Sequence, residues 1–144
     1  MDTPMHTTTR SRFATILVPM VTLFAGGCDV NVTPPAEAVL FGAWLLGSSD
    51  SGQNGKVYVF DAAGRLSEIR TTSGNTTLVE RDVHDTTQVV GMNVSVRTKG
   101  NVIFEGTLND ALNLITGTLR SEFTIPFTNN VISTNYGAAT LTKQ

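Results

Sequence analysis

Few residues in this chain have the types and spacing to do chemistry. The one that stands apart is Cys28, the sole cysteine among 144 residues. Three small residues, Ala25, Gly26 and Gly27, lead into it from the apolar run Phe13 to Phe24. Exported proteins commonly use cysteine in pairs, and a lone thiol in an oxidising compartment is reactive unless something consumes it. Acylation of the sulfur would do so. The other clusters carry less. Glu80, Asp82 and His84 alternate in VERDVHD and would share one face of a strand, but a metal site needs three or more converging ligands and a supporting shell. Asp50 to Gly55, DSGQNG, places Asp61 at the twelfth position of an acidic calcium loop, yet Gly52 occupies the third and no helix flanks it. Both stretches read as solvated loops. His84 is the one histidine beyond residue 28, and no G-x-S-x-G elbow occurs. The sequence therefore predicts no catalytic residue, no metal site and no cofactor, and a protein that is not an enzyme.

What positions Cys28 is the segment before it. Met1 to Arg12 is polar with Arg10 and Arg12 near its end, the following run is apolar, and small residues close it. That is the order of a secretory signal: a positive flank, an apolar helix and a site that fits a peptidase. The apolar run is well short of the roughly 20 residues that span a bilayer. AGGC at Ala25 to Cys28 resembles the bacterial lipobox, with alanine where that family usually has leucine. The resemblance implies cleavage between Gly27 and Cys28, acylation of Cys28, and a protein lipid-anchored in the bacterial cell envelope. Two or three acyl chains, at about 0.8 kcal/mol per buried methylene, would hold it stably to a membrane. The division expected is 1–27 signal, 28–38 lipidated cysteine and tether, and 39–144 folded domain. Pro34 and Pro35 favour an extended tether, which at ten residues reaches at most about 35 Å.

Beyond Gly27 the chain carries 8 basic against 11 acidic residues. That mild acidity, with no basic patch, argues against nucleic-acid binding, where lysines and arginines must neutralise phosphates. The length suits one domain.

From Val39 onward, short apolar or alternating runs are broken by Gly, Asn and Asp at intervals of roughly eight to twelve residues, the pattern of an antiparallel barrel or sandwich. Met92 to Thr98, MNVSVRT, sets Met92, Val94 and Val96 on one face; Lys99-Gly100 is expected to turn it into a partner strand, Asn101 to Leu108. A second hairpin is centred on DAAG, Asp61 to Gly64, between KVYVF and RLSEIRT. Further strands are expected at 41–46, 77–81, 88–90, 114–120, 122–127 and 131–142, with an edge or a bend at Pro126. EGTL at Glu105 and TGTL at Thr116 predict Gly106 and Gly117 at equivalent positions of neighbouring strands, where curvature is tight. Ala36 to Leu40 could form a single helical turn before the first strand.

Gly42-Ala43-Trp44 resembles the G-x-W element of the lipocalins and their fatty-acid-binding relatives. The resemblance implies an all-β, antiparallel up-and-down barrel of about eight strands after a cleaved signal peptide. In that family the tryptophan closes one end of the barrel under a basic side chain from the last strand, and Lys143 stands where that residue would be. Two functions follow as expectations: an envelope-associated structural or protein-interaction module with a filled interior, or a lipocalin-like barrel that binds a small apolar ligand. Either would meet the membrane through the lipid anchor, with an envelope protein or the apolar ligand as further partner and no nucleic acid.

Overall fold

The computed structural model describes residues 36–144. The expected signal at 1–27, Cys28 and the expected tether up to Pro35 lie outside the described residues. Ala36 to Ala38, expected as the last of the tether, open a 3₁₀ turn at Ala36–Leu40 that docks its Leu40 into the core.

Alternating apolar positions punctuated by turn residues produce nine strands: β1 Gly42–Ser48, β2 Val57–Phe60, β3 Leu66–Ser73, β4 Thr76–Arg81, β5 His84–Val90, β6 Asn93–Thr98, β7 Val102–Leu108, β8 Leu114–Thr124 and β9 Val131–Lys143. They form one sheet in the order β4-β3-β2-β1-β9-β8-β7-β6-β5 with every pair antiparallel. The fold is all-β, an up-and-down sheet curled into a partial barrel. Following the alternation of directions around the sheet, β4 and β5 run the same way. They are halves of one run broken at Asp82, whose φ is 57°. The first half pairs with β3 and the second with β6, so nine strands make eight runs. No ladder joins β4 to β5, and the curl stops short of closure.

The two faces follow the period of two. Trp44, Leu46, Tyr58, Phe60, Phe104 and Leu119 are nearly inaccessible on the concave face, each contributing about 1.5–3 kcal/mol through burial. Gly106 sits directly opposite Gly117 in the β7–β8 ladder. A Cβ on Gly106 would come within 2.7 Å of the Thr116 carbonyl oxygen, and one on Gly117 would overlap that of Glu105. The paired glycines let these strands approach on the concave side and set the curvature there.

At the DAAG turn, Asp61 Oδ1 accepts from the amides of Ala63 and Arg65 at 2.9 Å, and Gly64 takes φ 75°. In the 98–102 turn the left-handed residue is Asn101, φ 60°, rather than Gly100; asparagine tolerates that region because its short polar side chain can bond locally. The two strands expected over 114–120 and 122–127 are one, β8, and Pro126 lies in the turn beyond it. VERDVHD, read as a solvated loop, carries the end of β4, the strand expected at 77–81, and the start of β5, on either side of Asp82.

Candidate functional site

Successive turns of an up-and-down sheet alternate between its ends. One end holds the 3₁₀ turn, Trp44, the turn at 61–65 and the C-terminal residues. Here Trp44 pairs with Lys143 across β1 and β9, and the Lys143 Nζ lies 5.4 Å from the indole centroid. The indole Nε1 donates to the Leu40 carbonyl at 2.6 Å, so a fully buried tryptophan keeps its polar atom satisfied. Gly42, at φ 116°, brings its backbone near the Lys143 stem, where an added Cβ would meet Cε at 3.6 Å. Gly42, Trp44 and Lys143 thus form one cluster. Gly27 and Cys28 lie outside the described residues.

The weaker candidates do not converge. Asp82 pairs with Lys99 at 2.6 Å, and this hydrogen bond holds its carboxyl below the usual range. Glu80 falls in register with Ile69 and, one strand further, Tyr58, which places it on the concave side. His84 pairs with Thr98 on β6. Among the described residues no group of three or more His, Cys, Asp or Glu could hold a metal ion. Asp50 Oδ1 is occupied by the amides of Gly52 and Gln53, on a loop at the opposite end from Asp61.

The convex face carries an ion-pair lattice across four strands. Arg120 bonds both carboxylate oxygens of Glu105 and, through Nε at 3.1 Å, Glu122; Arg97 reaches Glu122 at 3.1 Å and Asp85 at 3.9 Å. Hydrogen bonding by Arg120 is the main cause holding the carboxyls of Glu105 and Glu122 below their ordinary range. Beneath it lies Ile103, the direct neighbour of both arginines and only 2% exposed although it faces outward. The aliphatic stems of the arginines cover it. Nearby, an open depression of about 390 Å³ on the same face is lined by Gln88, Val90, Asn93, Ser95, Glu105 and Thr107.

The far end is different. β3–β4 and β8–β9 run past the core as two-stranded ribbons, and their outer parts are almost wholly exposed. Leu78 on one ribbon, and Phe123, Phe127, Val131 and Ile132 on the other, stand in solvent. By register Leu78, Phe123 and Ile132 continue the concave face beyond the filled core. No residue from Phe123 to Thr142 is charged, and that run is the sequence signal from which this end could have been found.

Comparison with protein-family models, with curated proteins and with solved structures finds no match for this chain.

Proposed function

We propose that this chain is a bacterial lipoprotein, anchored in the cell envelope through Cys28, whose domain serves as a structural or protein-interaction module. The observation that carries the second half is where apolar surface lies. The concave face is occupied by its own side chains, Trp44, Phe104, Leu119 and Leu141 among them at 0% exposure, whereas large apolar groups stand exposed on the ribbons. Monomeric surfaces seldom gather such groups without a partner. This arrangement favours contact with another macromolecule over enclosure of a small apolar ligand. The first half is supported by the lone Cys28, its small-residue approach and the apolar run before it.

The test expresses the full chain and its Cys28→Ala variant in a bacterial host with labelled fatty acid. The wild type should carry label and sediment with membranes, and the variant should lose both. Membrane retention of an unlabelled variant would defeat the anchor. A defined small-molecule adduct on the wild-type protein in native mass spectrometry, lost on denaturation, would replace the module with the ligand-binding reading.

A further inference from the structure

In the turn that joins β8 to β9, Phe127 is fully exposed and takes φ 64°. A bulky side chain rarely enters that left-handed region, and strain of this kind collects at binding and switch sites. The ring stands wholly in solvent, so no contact within the domain offsets the strain. The ribbon behind it is apolar on both faces. Phe123 and Ile132 pair with each other on the concave side, while Val131, the neighbour of Ile132, pairs with Thr124 on the convex side. Phe123, Val131 and Ile132 are each more than half exposed. A docked protein surface covers one face of a ribbon. A fluid that surrounds the ribbon covers both faces and the tip at once.

The polar groups of the tip are suited to such a medium. No residue from Phe123 to Thr142 is charged, so no ion has to leave water. The turn also answers its own amides: Ile125 donates to the Asn130 carbonyl at 3.0 Å and Thr128 to the Ile125 carbonyl at 3.2 Å. Asn130 donates to Thr128 Oγ1 at 3.2 Å, and Pro126 has no amide to satisfy. Backbone groups bonded within their own segment are what an apolar surrounding tolerates.

We propose that the tip of the β8–β9 ribbon inserts into the interface of a lipid bilayer, with Phe127 leading. From Phe123 to the turn the uncharged ribbon is about 10 Å long at roughly 3.3 Å per residue. That matches the 5–10 Å or so reached by interfacial segments and falls far short of the roughly 30 Å hydrocarbon core. The ribbon therefore dips into one leaflet and does not span. Glu122, bonded to Arg120 and Arg97, marks where entry stops, because going deeper would strip water from that lattice. The proposal rests on reading the exposed ribbon as a contact surface, and it names a lipid surface as the partner; it does not depend on Cys28.

Phe127→Trp places an indole at the tip, and Trp44, buried at 0% exposure, is the control within the same chain. The full chain is mixed with excess vesicles of phosphatidylethanolamine and phosphatidylglycerol, with or without bromine on the upper acyl carbons, which quenches an indole in contact with it. The emission added by Phe127→Trp should shift to the blue and be quenched by the brominated lipid, while wild-type emission should not change. Asn129 is exposed in the same turn, and Asn129→Asp added to Phe127→Trp should abolish the shift and the quenching, since a charge opposes entry. Emission from position 127 that stays red and unquenched overturns the proposal, as does quenching that survives Asn129→Asp. A blue shift already present without vesicles, and no quenching with them, also overturns it, assigning the tip to a protein contact and leaving the interaction module standing. None of these results touches the anchor, which the Cys28→Ala labelling tests separately.

Discussion

Gly106 and Gly117 face each other across β7 and β8 with no room for a side chain on either. Any Cβ on Gly117 must push against the Glu105 backbone, which is held in two ladders. Gly117→Ala should therefore destabilise the domain by about 3 kcal/mol, lowering Tm by about 10–15 °C. Thr118→Ala, next along the strand and exposed, should change stability by less than about 0.5 kcal/mol. Thermal unfolding followed by circular dichroism compares the two.

Trp44 is the sole tryptophan, which makes the Lys143 contact readable by fluorescence. Lys143→Ala removes both the cation and the methylene stem from the ring while leaving the bond to Leu40. The expected loss is about 0.5–1 kcal/mol, accompanied by a red shift of emission as water reaches the indole. An unchanged spectrum would mean that the lysine does not shield the ring.

Burial, with the Glu80 carboxylate nearby as the lesser cause, pushes the Tyr58 phenol up to about 12 from 10.0. A raised folded-state value means that its stabilisation is complete below pH 10 and is lost as pH climbs through 12. The loss amounts to about 2–3 kcal/mol. Chemical denaturation of wild type across that range should show it, and Tyr58→Phe, which keeps the ring and has no proton to lose, should flatten the alkaline limb.

For the convex lattice the sign is opposite. Glu105 and Glu122 titrate below their ordinary value of 4.5 because Arg120 bonds their ionised forms. Their contribution is present above pH 4.5 and disappears as pH falls through the lowered values. Arg120→Met keeps a stem over Ile103 and removes the guanidinium. It should be less stable than wild type at neutral pH and converge with it in acid. Added salt at neutral pH should also narrow the difference, because these groups are partly exposed.

Local chemistry made much of the fold legible from sequence. The alternation in MNVSVRT and the side-chain cap in DAAG each depend on neighbours a few residues away, and both hairpins form there. The repeated glycine of EGTL and TGTL marks a meeting of two strands, and Gly106 does meet Gly117. What escaped depends on distant residues. Ser121 reads as a break because it is polar at an inward position; β8 continues through it since β9 is long enough to pair up to Thr124. The left-handed residue at 98–102 is set by the register of β6 and β7, which selects Asn101 over Gly100. The ribbons were the hardest to foresee. Their exposure arises because β1 and β2 stop early, and no property of Phe123 or Ile132 records the length of a strand elsewhere in the chain.

The seam at Asp82 also bears on how the molecule assembles in time. Since no ladder crosses it, β1–β4 and β5–β9 are two meanders, each closed by short turns and built from contacts between near neighbours in sequence. Such contacts form early, whereas those that must close a long loop form late. The ladder between Trp44–Ser48 and Ala139–Lys143 joins the two meanders across almost the whole described chain, and it is the clasp that should shut last. Until it shuts, Trp44 has no lysine above it, so the single tryptophan that marks one end of the finished sheet also keeps the clock of its closure.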